Sequence, residues 1–226
     1  MIKTPKISID SSISKVSPEI SLGITIYNVQ GITESSDLFK EKFNSFKKIL
    51  INEYSKVGLA ERDEIKAWRT FLKQLKIDPS RYKASAEALI KRTISDKPLF
   101  WVNAAVDINN FLSVLYTTPM GIYDLDNIQG NISYSIGDQE ASYDGLNGRN
   151  VSMNGKPNLY DEIGSFGSPI VDSQRTKVTA KSKKLMHVIY FSPEIPERQK
   201  DLIIGKSIEL FVNELNVKVI NNKLVN

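Results

Sequence analysis

The stretch FWVNAAVDINNFLSVLYTTPMGIYDLD, residues 100–126, leaves a chain few ways to fold. Ala105, Ile108, Leu112 and Leu115 recur at the spacing of one helix face, which predicts a helix over 100–116 with that stripe against a core. Asn103, Asp107 and Asn110 recur on a neighbouring stripe, and Asn109 lies between the two. Asn and Asp compete with the helix backbone for hydrogen bonds, so such a row is either a wet face or the wall of a polar pocket. Thr117, Thr118 and Pro119 stop the helix, because proline lacks an amide donor and disfavours helix in the residue before it. Met120–Tyr123 then runs extended into Asp124-Leu125-Asp126, and Gly121 permits a close approach by backbone or ligand.

Elements of both kinds flank this stretch. Glu19–Asn28 alternates, with Ile20, Leu22, Ile24 and Ile26 on one side, and predicts a half-buried strand. Asp37–Lys56 carries Leu38, Phe39, Phe43, Phe46, Leu50 and Tyr54 at helical spacing, with Ser36 or Asp37 as its cap. Glu61–Lys76 is a second amphipathic helix, ended by Asp78-Pro79. Arg81–Arg92 follows with Ser85 as candidate cap, and Arg81 and Glu87 are candidates for an ion pair holding it. Asn131–Ser135 and Leu185–Phe191 predict strands, separated by turns at Gly145, Asn147, Gly148, Asn150, Asn154 and Gly155. Glu197–Leu215 predicts a helix and Asn216–Val225 a last strand. The expected fold is α+β: one compact domain over 19–226, helices on a mixed, mostly antiparallel sheet, with 1–18 as a flexible lead.

Composition excludes several chemistries. With no cysteine there is no disulfide, thiolate metal site or cysteine nucleophile, and a reducing cytoplasm is the expected location. The one histidine, His187, sits in the strand-like run LMHVIYF, so a multi-histidine metal site is impossible and a core position is expected. No Gly-x-Ser-x-Gly elbow or Walker loop is present, and no apolar run approaches the ~18 residues of a membrane span. The first twenty residues carry Lys3, Lys6, Asp10 and Glu19 without an apolar centre, unlike a secretory signal. A net charge of +4 is compatible with an RNA partner. No cofactor and no metal is implied.

VDINNFLSVLYTTPMGIYDLDNIQG resembles the motif of the B3/B4 domain of the bacterial phenylalanyl-tRNA synthetase beta subunit, where it lines a pocket that hydrolyses tyrosine wrongly attached to the tRNA. RYKASAEALIKR upstream and SQRTKVT downstream resemble free-standing relatives of that domain, and the likeness extends over about 66–196. The resemblance implies trans-acting hydrolysis of an aminoacylated tRNA or, alternatively, a non-catalytic module that binds tRNA or an amino-acid-like ligand. It places Asn109, Asn110, Gly121, Ser168 and Asp172 at the substrate, with Ser168 and Asp172 close to Asn109 and Gly121. Arg81, Lys83, Arg175 and Lys177 fall to the RNA. The chain departs from the family pattern at Asn109, for a threonine, at Gly121, for a histidine, and at Val188, for the glutamate that reads the tyrosine hydroxyl. No catalytic residue is assigned.

Overall fold

The computed structural model describes residues 4–95, 100–146 and 148–226, so Asn147 of the turn cluster lies outside the described residues. The chain opens with β1 (Ile7–Ile9), the helical turn α1 (Ser11–Ser14) and β2 (Ser21–Asn28). Three helices follow: α2 (Asp37–Lys56), α3 (Asp63–Gln74) and α4 (Ser85–Ile94). The motif region forms α5 (Ala104–Leu115) and β3 (Met120–Asp124). Short strands β4 (Ile132–Ile136), β5 (Ser142–Asp144), β6 (Asn150–Ser152), β7 (Pro157–Tyr160) and β8 (Ser165–Gly167) come next. The chain ends with β9 (Lys184–Phe191), α6 (Glu197–Leu215) and β10 (Lys218–Val225).

Two four-stranded sheets organise these elements. One, ordered β10-β2-β9-β3, is antiparallel throughout; the other, ordered β1-β4-β7-β8, is antiparallel except for the parallel β1–β4 pair. The fold is therefore α+β, as expected. One face of the first sheet packs on α2, α5 and α6 through Tyr27, Phe39, Phe43, Phe111, Ile189 and Phe211. Its other face meets the second sheet and α3 through Leu22, Ile24, Val188, Tyr190, Tyr134, Phe166 and Trp68. Phe111 anchors α5 by edge-to-face contacts with Phe39, Phe43 and Phe46 at centroid distances of 5.6, 5.1 and 5.5 Å. Each such pair contributes about 1 kcal/mol beyond area burial.

Layering on both sides explains where the structure departs from expectation. β2 is buried on both faces, not half-buried, because its polar-looking side, Ser21, Gly23, Thr25 and Tyr27, lies under α6. The expected lead carries structure of its own: β1 pairs with β4, and Ile7 and Ile13 sit in the core. Leu38 and Leu115, assigned to apolar stripes, are 74% and 38% exposed. α4 begins four residues later than Arg81, after a turn in which Asp78 accepts from the Ser80 amide and hydroxyl. Ser85 does not cap it; its amide donates to the Pro169 carbonyl, which ties α4 to the segment Gly167-Ser168-Pro169. Glu87 pairs with Arg69 of α3, whose Nε and Nη2 donate to its two carboxylate oxygens at 3.0 and 2.7 Å, and not with Arg81. Ser36 caps α2 as expected, accepting from the Phe39 amide at 3.1 Å.

Candidate functional site

The polar row on α5 divides by role. Asn103 is the N-cap: its Oδ1 accepts from the Val106 amide at 3.1 Å, so the helix starts at Ala104 and Phe100–Val102, expected inside it, lies before it. Asp107 is buried and fully engaged, accepting from the Ser35 hydroxyl at 2.6 Å and the Val102 amide at 3.0 Å. At the far end the helix closes with Thr118 N–H donating to the Ser113 carbonyl and Thr117 N–H to that of Val114, which puts Thr117 at φ 50°. Such a 6→1 and 5→2 pair is the usual way to satisfy terminal carbonyls, normally with glycine at the left-handed position. It swings β3 back along α5, and Asn109 Nδ2 meets the Met120 carbonyl at 3.4 Å.

Between α5 and the 172–178 segment lies a cavity of about 430 Å³. Its polar lining includes Arg92, Asn109, Asn110, Asp172, Thr176 and Lys177, and its apolar walls include Phe43, Leu89, Phe100, Trp101, Val106 and Ile122. Four residues expected at the site, Asn109, Asn110, Asp172 and Lys177, are thus brought together. Gly121 and Ser168 are not in the lining. Ser168 stands behind it: its hydroxyl accepts from the Ile170 and Val171 amides and donates to the Val171 carbonyl, shaping the turn that presents Asp172. The Asp172 Oδ1 accepts from the Tyr123 hydroxyl at 2.6 Å and the Ser168 amide at 3.4 Å, and Tyr123 and Tyr190 share a further bond at 2.8 Å. Burial pushes the Asp172 carboxyl up to about 7, with the Tyr123 hydroxyl and Ser168 amide opposing it.

Gly121 proves to accommodate the protein itself. It is registered opposite Val188 on β9, so the two positions where the resemblance implies His and Glu are neighbours across two strands. The Tyr123 ring fills the space over them: a Cβ on Gly121 would lie 2.2 Å from the Tyr123 hydroxyl oxygen, and one on Gly167 2.5 Å. The ring is held by Asp172 and Tyr190 and cannot retreat, so Gly121→Ala overpacks the core. We expect a loss of about 2 kcal/mol for this single methyl group, read from the shift in denaturant midpoint.

The expected RNA contacts are dispersed. Arg175 points inward, bonded to Asp161 and to the carbonyls of Asn127 and Gly164. Arg81 lies 5.2 Å over the Tyr82 ring, Lys156 lies 4.5 Å over the same ring, and Lys83 donates to the Ser80 carbonyl. Lys177 alone of the four is in the cavity lining. Sequence reasoning missed the aromatic wall. Its signal was the run Phe100-Trp101-Val102, three large apolar residues directly before a capping asparagine, and these remain 68%, 37% and 59% exposed.

A family model described as the B3/4 domain matches residues 67–208. The chain belongs to the B3/4 domain family. The matched span contains α4, α5, β3, the 172–178 segment and β9, hence most of the cavity lining and both departures at Gly121 and Val188. The uncharacterized protein YhzB of Bacillus subtilis is 20% identical over 205 residues, 91% of this chain and 92% of that protein. The phenylalanine–tRNA ligase beta subunit of Fusobacterium nucleatum is 28% identical over 148 residues, covering 64% of this chain and 18% of the subunit. The chain thus spans nearly all of one relative and under a fifth of the other. An N-terminal fragment of the phenylalanyl-tRNA synthetase beta subunit from Pyrococcus horikoshii aligns over 99% of this chain and 55% of the fragment, at a TM-score of 0.49 and 11% identity.

Proposed function

We propose that this protein hydrolyses the ester of an aminoacyl-tRNA in trans. The observation that carries the reading is the cavity, which gathers Asn109, Asn110, Asp172 and Thr176 within a B3/4 domain and has room for an amino-acid side chain. An aminoacyl ester is already activated, so hydrolysis asks mainly for a positioned water and donors that stabilise developing negative charge. Asn110, half-exposed in the lining, has an amide to orient the water or the ester carbonyl, and Asn109 beside it orients the amino acid. No nucleophile is required, consistent with a chain that has no cysteine and whose one histidine is buried under Phe211. Lys177 lines the cavity and is the cation that would meet the tRNA end there.

A panel of aminoacyl-tRNAs, mischarged ones included, tests this with the purified protein and its Asn109→Ala, Asn110→Ala double variant. Hydrolysis of a subset should fall by at least about 10²-fold in the variant, the scale for loss of polarising donors, while Tm stays near that of the parent. Undiminished turnover in the variant would rule out these roles. The filled space over Gly121 and Val188 favours a second reading, a module that binds tRNA or an amino-acid-like ligand without turnover. Salt-sensitive RNA binding with no hydrolysis across the panel would establish it.

A further inference from the structure

The two four-stranded sheets end in four strands, β10, β3, β1 and β8, and three of these edges are covered or short. On β3 the Asp124 amide donates to the Thr176 carbonyl, and the Met120 carbonyl accepts from Asn109 Nδ2. On β8 the Phe166 carbonyl accepts from the Ser173 amide and the Thr176 hydroxyl. β1 is only three residues long. β10 differs: its eight residues extend roughly 27 Å at the usual rise of a strand. Among the described residues no backbone hydrogen bond joins it to any segment other than β2. β1 lies near it in the facing sheet but pairs with β4.

An open edge of this length is a template for another strand. Val219 and Leu224 pack toward the helices and Ile220 and Val225 toward the second sheet, all four half-buried, so an added strand would extend both layers of contact. The bulge at Ile220 and the lysines at 218 and 223 guard the edge against indiscriminate pairing, because a partner has to accommodate the cations.

Charge separates the two ends of this sheet. The register across β10, β2 and β9 sets Lys218 beside Asn28 and Asn28 beside Lys184, with exposed Lys181 and Lys183 just before β9. Lys184 is already paired with Asp126 at 2.7 Å; Lys218 is exposed at the strand's start. At the opposite end, where Val225 meets Leu22, a depression is lined by Glu19, Glu194 and Glu197 together with Leu224 and Asn226 of the β10 end. The three carboxylates are exposed, and the cation in that lining, Lys200, is buried.

We propose that β10 is the pairing edge for a second copy of this chain, the two β10 strands lying antiparallel about a twofold axis and joining two four-stranded sheets into one of eight strands. Antiparallel pairing carries Lys218 of each copy to the Val225 end of the other, beside the depression that holds Glu19, Glu194 and Glu197. The twofold makes this contact twice. A parallel pair would set lysine end against lysine end, and like charges held close are repelled. The proposal is independent of the cavity and of any reaction there.

Sedimentation equilibrium of the purified protein tests it. In low salt the parent should reach twice 25.4 kDa with a Kd below about 100 μM, well within reach of one strand pairing and two charged contacts. At about 1 M salt, where charges are screened beyond ~3 Å, the Kd should rise at least about tenfold. Lys218→Glu should weaken the dimer by at least about tenfold in low salt, and adding Glu194→Lys and Glu197→Lys to that variant should restore it. All three positions are exposed, so the variants should fold like the parent. Hydrogen exchange of residues 218–225 should slow as protein concentration rises. A chain that stays monomeric up to about 100 μM, a dimer indifferent to Lys218→Glu or not rescued by the charge swap, or protection that rises elsewhere and not in β10 overturns the proposal.

Discussion

Arg175→Met should lower stability by about 4 kcal/mol, equivalent to a fall in Tm of about 10 °C for a chain of this size. The guanidinium fork donates to both oxygens of Asp161 at 2.9 Å and to the carbonyls of Asn127 and Gly164 at 2.9 and 3.2 Å. The Asp161 side chain is wholly inaccessible, while that of Arg175 is 26% exposed. Burial pushes the Asp161 carboxyl up, but Arg175 and the Gln129 and Gly164 amides outweigh it and hold the group below its ordinary value. Removing the arginine leaves a carboxylate in the interior with amide donors but no counter-charge, the situation in which breaking a buried pair is most damaging. Asp161→Leu combined with Arg175→Met should recover much of the loss, since a buried pair replaced by apolar groups is often neutral. Guanidinium denaturation of the two single variants and the double variant measures this. If Arg175 were instead an RNA contact, Arg175→Met would retain its Tm and lose tRNA affinity alone.

That residue marks the boundary of what the sequence discloses. Long amphipathic elements were legible: α2 and α6 begin and end where their apolar spacing and the Ser36 cap put them. The motif was legible as a helix and a strand parted at Thr117-Thr118-Pro119, while its polar row stayed open between a wet face and a pocket wall, and only the packing places Asn109 and Asn110 in a cavity lining. Pairing across the fold was not. Nothing local tells Glu87 to choose Arg69, eighteen residues away, over Arg81, or turns Arg175 toward Asp161 when its neighbour Lys177 faces the cavity. Gly121 is the same lesson in steric form: its missing Cβ announced a close approach, and only the packing shows that the visitor is Tyr123, two residues along the same strand. β1 could be read only as a possible short strand without bounds, because a three-residue strand gets its stability from its partner β4, far along the chain, and has too few residues to show a period.

His187 and Asp172 should give this protein opposing pH dependences of folding that nearly cancel until one of them is removed. His187 is fully buried against Phe211, ring centroids 5.0 Å apart, with neither nitrogen bonded among the described residues. Burial pulls its pKa down to about 3. Between that value and the ordinary 6.5, the unfolded chain binds a proton that the folded chain refuses, so its contribution is complete above pH 6.5 and is lost as pH falls toward 3. Asp172 runs the other way. With its pKa raised to about 7 from 3.8, the folded state holds the proton longer, and stability is greatest below pH 3.8 and declines as pH rises to 7. Each slope is about 1.4 kcal/mol per pH unit over the shared window of roughly pH 4 to 6.5. His187→Leu removes the first slope along with two unpartnered nitrogens, so that variant should gain about 3 kcal/mol in stability between pH 6.5 and 4.5. Asp172→Asn should lose about as much over the same interval, and the parent should stay nearly level. Urea midpoints at pH 4.5, 5.5 and 6.5 for the three proteins decide it. Parallel curves for parent and His187→Leu would mean that the histidine is not held neutral in the core, and that the face of β9 beneath α6 is wetter than its packing indicates.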